Sequence, residues 1–310
     1  MTSPARSSRR ALAAVALALS AAARPARACS VCGCGDPLVS VGEVAGPKGQ
    51  LGLELDFQWL SQTAGGDVPG TLDVLNQYSI LFTAAYTPIE RLNLVVTFPY
   101  LWKNLQNQAA DGTRTLTSSL NGFGDLQFGV RWFVWDQIDF GNRTHQSLSV
   151  NAGTFAPTGA NDATVNGVRV DEHGQIGTGG WGPNVGLFYR LQGDVWSGSA
   201  GLWGLYRTVN GFGYRFGPAV LWTAQVQYQP IEWFAAALAI DGRWAAPDVS
   251  DGATVPSTGG FVLAAAPAVY FNVFKGGWLI ARAQLPFATA LYGIQTLGPV
   301  VTGGLRYDVF

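Results

Sequence analysis

Charge is scarce in this sequence, since only 13% of its 310 residues are charged and the formal net charge is −1. A chain so close to neutrality offers no basic surface, so we expect no nucleic-acid partner. Long hydrophobic runs are also lacking, because no uninterrupted stretch of about 20 apolar residues follows residue 28, which excludes membrane-crossing helices beyond that point. Histidine occurs twice, so a hydrolase that depends on histidine has few residues to draw on.

The first 28 residues have the pattern of a secretory signal peptide. A basic start with Arg6, Arg9 and Arg10 precedes the apolar stretch 11–23, and Ala26-Arg27-Ala28 supplies a small-residue cleavage site. Since that stretch is short for a membrane span, the alternative of a retained anchor is disfavoured. We therefore divide the chain into a signal peptide (1–28), a periplasmic cysteine-rich segment with its linker (29–49) and one large domain (50–310).

A period-two alternation is clearest between Asn121 and Trp135. From Asp125 onward, apolar residues occupy the even positions up to Val134, and Asp125, Gln127, Gly129 and Arg131 occupy the odd ones. Because successive side chains of a strand point to opposite faces, this segment predicts a strand with one apolar face and one polar face.

The same alternation recurs along the chain and predicts twelve strands in total. They lie near residues 50–61, 78–87, 92–102, 121–135, 146–156, 180–192, 194–208, 215–229, 234–244, 261–273, 278–286 and 298–310. Short connections such as 88–91 and 274–277 alternate with longer ones near 61–77, 103–121, 157–179, 245–260 and 287–297; the connection 209–214 is a short exception. Short periplasmic turns opposite long outer loops are typical of outer-membrane barrels. The fold class predicted is all-β: a closed antiparallel transmembrane β-barrel of about twelve strands in the bacterial outer membrane.

Polar residues on the inward face of such a barrel would line its lumen, while the apolar face contacts membrane lipid. The alternation predicts this lumen-lining set: Glu54, Asp56, Asp125, Gln127, Arg131, Arg190, Asp241, Arg243, Arg282 and Arg306. Two alternatives stay open, since the charged groups can border an open channel or fill the lumen with salt bridges. The terminal Phe310 resembles the signal read by the barrel-assembly machinery, which we expect as a partner, although Phe310 is out of phase with Leu305, Tyr307 and Val309.

Three short blocks occur in a recognisable order: Val95-Val96-Thr97-Phe98-Pro99-Tyr100, Gly122-Phe123-Gly124-Asp125-Leu126 and Phe155-Ala156-Pro157-Thr158-Gly159. Over residues 50–310 the chain resembles the outer-membrane channel family named after the meta-pathway of phenol degradation. That resemblance implies an outer-membrane barrel that passes small hydrophobic or aromatic molecules.

All three cysteines lie together after the signal peptide, as Cys29, Cys32 and Cys34. Thiolates at this spacing suit a soft cation such as Cu(I) or Zn(II), although a zinc site usually has four ligands. In an oxidising compartment two of the three can instead form a disulfide, and lipidation of Cys29 is a third alternative. A metal site here would suit a barrel that acts as a scaffold or sheath for a periplasmic partner handling metal or electrons.

The enzyme alternative depends on His145 and on His173, which follows Asp171 and Glu172 in a long loop. An outer-membrane hydrolase needs a histidine oriented by an acid beside an activated nucleophile. Since adjacent loop residues seldom hold such geometry, we expect Asp171, Glu172 and His173 to form a solvated polar loop. We therefore predict a protein that is not an enzyme and has no catalytic residues.

Overall fold

The computed structural model describes residues 47–65 and 71–309. Within these ranges, twelve strands form one antiparallel sheet that closes on itself. The strands are β1 (Leu51–Gly65), β2 (Leu72–Ile89), β3 (Leu92–Gln108), β4 (Leu126–Asp139), β5 (Thr144–Ala156), β6 (Gly182–Gln192), β7 (Trp196–Leu205), β8 (Ala219–Ile231), β9 (Phe234–Ala245), β10 (Gly260–Phe274), β11 (Gly277–Leu291) and β12 (Gln295–Val309). Among the described residues, no helix is long and apolar enough to cross a membrane. The predicted signal peptide and Cys29, Cys32 and Cys34 lie outside the described residues.

Closure of the sheet depends on β1, which pairs with β2 on one side and with β12 on the other. Leu51 lies opposite Tyr86 in β2 and opposite Val309 in β12, so the first and last strands meet in a continuous ladder. A closed ladder leaves no strand edge without a hydrogen-bonding partner, as a sheet surrounded by lipid requires. The predicted barrel of twelve strands is confirmed.

The two faces of the strands differ as the alternation predicted. In β1, Glu54 and Asp56 are 2% and 6% exposed, whereas Leu55 and Phe57 are 47% and 51% exposed. Large apolar side chains therefore cover the outside of the barrel, and most of the ionised ones lie inside it. This arrangement matches a protein whose outer face contacts hydrocarbon rather than water.

The fourth predicted strand differs from the structure at its beginning. Residues 114–123 form a separate strand (Arg114–Phe123) that pairs with the outer half of β3, and β4 begins only at Leu126. Asp125 thus lies in the break between two strands rather than within one. The predicted loop 103–121 is consequently a β-hairpin, because β3 continues to Gln108 and turns back at Arg114.

Three other connections were predicted wrongly in length. The predicted loop 61–77 is mostly strand, because β1 continues to Gly65 and β2 begins at Leu72. The predicted loop 287–297 is mostly strand, because β11 continues to Leu291 and β12 begins at Gln295. The connection between β7 and β8 is longer than predicted and spans residues 206–218. Its Tyr214 and Arg215 pair with Ser250 and Val249 of the 246–259 connection, so hydrogen bonds between loops replace the barrel ladder there.

Candidate functional site

Three outer connections meet at the mouth of the barrel. We name them the inner loop (residues 157–181, between β5 and β6), the middle loop (206–218, between β7 and β8) and the far loop (246–259, between β9 and β10). A cavity inside the barrel is lined by Gln58 of β1, Ser79 of β2 and Arg243 of β9, and also by residues 175–178 of the inner loop. The inner loop therefore lies across the lumen rather than projecting into solvent.

Gln175 organises the inner loop from within. Its side chain is completely buried, donates to the carbonyls of Ala163 (3.0 Å) and Val170 (2.8 Å), and accepts from the Ala163 N–H (3.0 Å). These bonds connect the two sides of the loop beside the small pair Thr164–Val165 and Val168–Arg169. One buried amide thus satisfies backbone groups that the barrel ladder cannot reach.

Lys103 on β3 attaches this loop to the barrel wall. Its ammonium donates to the carbonyl of Gln175 at 2.6 Å and to that of His173 at 3.1 Å. Because Lys103 lies opposite Gln77 of β2 and both are buried, its side chain points into the lumen. Hydrogen bonds from a charged group are stronger than neutral ones, so this contact is a firm attachment.

Asp125 provides a second attachment. Its carboxylate accepts from the N–H groups of Gly159 (3.1 Å) and Thr178 (2.9 Å) and from the Thr178 hydroxyl (2.5 Å). Arg207 of the middle loop lies 3.7 Å from the same carboxylate, and its guanidinium lies 4.2 Å from the ring centre of Phe155. The break before β4 therefore places Asp125 where it holds both ends of the inner loop.

A third group joins all three loops around His173. Its Nε2 lies 3.3 Å from Oδ2 of Asp248 in the far loop and 3.2 Å from the hydroxyl of Tyr214 in the middle loop. The Tyr214 hydroxyl donates to Asp248 at 2.7 Å, and the Gly217 N–H donates to the other carboxylate oxygen at 2.7 Å. Phe216 meets the imidazole edge to face, with ring centres 5.5 Å apart.

The surroundings of this group decide its ionisation. Burial alone disfavours a charged imidazole, but the hydrogen bond to Asp248 and the charges of Asp171 and Asp248 outweigh it, and the pKa of His173 is raised. Burial opposes ionisation of Asp248 as well. The pKa of Asp248 is nevertheless lowered, because its carboxylate is close to the positive charge of His173 and accepts hydrogen bonds from His173, Tyr214 and Gly217. Burial and the charge of Asp248 raise the pKa of Tyr214, so its hydroxyl remains a donor.

The expectation of a solvated polar loop at residues 171–173 is correct for Asp171, which is exposed, and wrong for Glu172 and His173. Glu172 is buried and accepts two hydrogen bonds from Arg169, at 2.7 and 2.9 Å, while His173 contacts the other two loops. Contacts between distant loops leave no periodic signal in a sequence, so Asp248 and Tyr214 were not foreseen. Lys103 could have been found, since the alternation of β3 puts it on the polar face.

The predicted lumen set lies on inward positions of the strands, except Asp125. Asp241 has three partners inside the barrel. It forms an ion pair with Arg282 and accepts hydrogen bonds from Gln284 and Thr223, both at 2.7 Å. Arg131 donates to Asn151 at 2.6 Å, and Arg306 pairs with Asp308 at 3.3 Å. The remaining members, Glu54, Asp56, Gln127, Arg190 and Arg243, are buried or partly buried. The role of this set as a solute lining stays a prediction.

The other histidine lies at the opposite end of the barrel. His145 is the second residue of β5, next to the short turn after β4, and its Nε2 lies 2.7 Å from Oδ1 of Asp136. In residues 47–65 and 71–309, no group of three or more His, Cys, Asp or Glu residues could hold a metal ion. The predicted Cu(I) or Zn(II) site at Cys29, Cys32 and Cys34 is not tested by this and stays a prediction.

Comparison with known proteins found likeness in structure alone. No family model matches the sequence, and no curated protein matches it. The COG4313 outer membrane channel from Pseudomonas putida F1 superimposes with a TM-score of 0.65 at 13% identity, over 88% of this chain and 100% of that one. The chain has the fold of an outer-membrane β-barrel.

More distant barrels superimpose less well. They include the translocator domain of autotransporter NalP from Neisseria meningitidis, with a TM-score of 0.44 at 12% identity over 84% of this chain and 89% of that one. The CymD monoaromatic hydrocarbon channel superimposes with a TM-score of 0.42 at 11% identity, over 85% of this chain and 89% of that one. These matches do not test the resemblance to the phenol-pathway family, which stays a prediction.

Proposed function

We propose that this barrel is an outer-membrane channel through which small solutes pass passively, with the inner loop as its constriction. The observation that carries the proposal is the cavity within the lumen, bordered by β1, β2 and β9 and covered by residues 175–178. The likeness to an outer membrane channel at a TM-score of 0.65 supports it at the level of the fold. The proposal assigns the chain no catalytic residue.

Small hydrophobic or aromatic compounds are the cargo we propose, as the family resemblance implies. One side of the lumen supports this choice, because Phe155 lines the cavity and belongs to a buried apolar cluster with Phe188 and Trp203. Phe188 and Trp203 have ring centres 6.1 Å apart, and the guanidinium of Arg131 lies 6.0 Å from the Phe188 ring. Aromatic walls beside cations suit a ring that carries a polar substituent.

Conductance in planar bilayers and swelling of liposomes test this proposal. The mature protein is compared with a variant lacking residues 160–179, and protein-free liposomes are the reference. Benzenesulfonate, an aromatic solute that crosses lipid slowly, is compared with an aliphatic sulfonate of similar size. We expect ion conductance in at least the deletion variant and faster channel-dependent entry of the aromatic sulfonate than of the aliphatic one. Conductance of the deletion variant alone would identify the inner loop as a plug. If neither form conducts or swells, the channel proposal fails.

A scaffold is the second candidate, favoured by the cysteine cluster. The chain enters β1 at the end of the barrel that carries the short turns, since Gly49 donates to Thr87 and Thr87 donates to Gln50. Cys29, Cys32 and Cys34 precede that point in the sequence, and we propose that they lie on the periplasmic side, to which we assign the short turns. In this alternative the barrel displays the cluster to a periplasmic partner that handles metal or electrons, and the lumen does not conduct.

A further inference from the structure

The three outer loops share one ionised contact. His173 of the inner loop lies 3.3 Å from Asp248 of the far loop, and Tyr214 of the middle loop lies within hydrogen-bonding distance of both. The side chains of His173 and Asp248 are 21% and 8% exposed, so water screens their attraction only weakly. Histidine is the side chain whose ordinary pKa lies in the physiological range, which makes this contact sensitive to pH.

We propose that His173 and Asp248 form a proton-dependent latch, which holds the inner loop across the lumen while His173 carries its second proton and releases it when that proton is lost. The proposal rests on the channel function proposed above, because it describes how passage is regulated. Neutral His173 can still donate one hydrogen bond, but its charge is gone. Asp248 is then a buried carboxylate without its cation, an unfavourable arrangement that separation of the loops relieves.

Other charged groups around His173 contribute to the balance. Asp171 on the same loop favours the protonated imidazole, and Lys103 on β3 opposes it. Glu172 accepts hydrogen bonds from Arg169 and Asn210. Asp125 accepts a hydrogen bond from Thr178 and forms an ion pair with Arg207. Asp248 is the charged group in direct contact with the imidazole. Its negative charge therefore decides that protonation of His173 strengthens the latch.

The direction in which the latch responds to pH follows from the pKa shifts of His173 and Asp248. Because the pKa of His173 is raised above 6.5 in the latched state, its contribution is complete below that value and is lost as the pH rises through the raised pKa. Because the pKa of Asp248 is lowered below 3.8, its contribution is present above that value and is lost as the pH falls through the lowered pKa. The latch is therefore strongest in mildly acidic solution and opens as the pH rises through the raised pKa of His173.

Single-channel recording at constant ionic strength from pH 5 to pH 10 tests the latch. For the wild type we expect the open-to-closed ratio to rise with pH, by at most about tenfold per unit for one titrating group. His173→Gln should abolish the rise and stay near the alkaline level of the wild type at every pH. Asp248→Asn should do the same, which covers the case that one variant fails to assemble. Tyr214→Phe keeps the ion pair and should keep the rise.

His145→Gln is the matched control. It removes the other histidine of the chain, which pairs with Asp136 at the opposite end of the barrel, and it should respond to pH as the wild type does. A wild-type channel that conducts equally from pH 5 to pH 10 would overturn the latch. The same rise in His173→Gln as in the wild type would overturn it too.

A second measurement separates failure of the latch from failure of the channel. Amide hydrogen exchange of residues 160–179, corrected for the intrinsic effect of pH, reports the loop whether or not ions pass. Faster exchange at alkaline pH in the wild type, absent in His173→Gln, supports the latch even if no variant conducts, in which case the channel proposal alone fails. If the corrected amide exchange does not depend on pH while the protein conducts ions normally, the latch is overturned and the channel proposal stands.

Discussion

The ammonium of Lys103 on the barrel wall donates a 2.6 Å hydrogen bond to the carbonyl of Gln175 in the inner loop. The two residues are separated by 72 positions in the sequence, and both are buried. This contact gives the inner loop a fixed place in the lumen, because it ties a backbone group of the loop to a side chain of β3.

Lys103→Met should loosen the inner loop while keeping the length of the side chain. A hydrogen bond to a charged group contributes about 1.5–3 kcal/mol, and the substitution also leaves the carbonyls of His173 and Gln175 without this donor. We expect a higher single-channel conductance and faster amide exchange in residues 160–179. Lys275→Met, at the exposed turn between β10 and β11, is the control and should change neither quantity. Unchanged conductance and exchange in Lys103→Met would contradict the attachment.

Gly177→Ala tests the close approach at the base of the inner loop. An added Cβ at Gly177 would lie 2.3 Å from the carbonyl oxygen of Gly159, which backbone movement alone can relieve. Such overpacking costs about 1–3 kcal/mol, so the loop should undock from Asp125 and exchange faster. Gly204→Ala is the control, since a Cβ there meets nothing within 4 Å. Equal exchange in the two variants would show that this packing does not hold the loop.

Val130→Arg places a charge on the outer face of β4, where Val130 is 41% exposed. A cationic side chain facing lipid near the midplane costs about 2–4 kcal/mol, so less barrel should assemble. The measurement is electrophoretic mobility with and without heating, because an assembled barrel migrates differently until it is boiled. Gln127→Arg, on the inward face, should assemble and shift ion selectivity toward anions. Equal assembly defects in both variants would contradict the assignment of the two faces.

Cys32→Ser tests the cysteine cluster. We expect the purified protein to contain one free thiol and one short-range disulfide, and after reduction to take up about one Cu(I) or Zn(II) per chain through its thiolates. The substitution should abolish metal uptake without affecting barrel assembly, since the cluster precedes β1. Thiol counting by mass spectrometry and metal titration are the measurements, with Ser30→Ala as the control. Three unreactive thiols and no metal uptake would remove the proposed role.

The barrel was predictable because its signals are local and repeated. The alternation at residues 126–134 predicts one strand, and its recurrence along the chain predicts a sheet with enough strands to close into a barrel. Strand ends were less predictable: β2 begins at Leu72 rather than Tyr78, because a strand continues wherever its neighbour offers hydrogen bonds. The place of Asp125 was missed for a similar reason, since the break before β4 depends on the inner loop that Asp125 binds.

By itself, the sequence determined which face of each strand is apolar and therefore that the chain forms a barrel with a polar interior. The tertiary structure alone decided that residues 157–181 turn into the lumen. Whether a loop is solvated or buried depends on partners far away in the chain, here Lys103, Asp125 and Asp248, and no periodicity connects them. The buried contact between His173 and Asp248 exists because closure of the barrel brings three outer loops to one mouth.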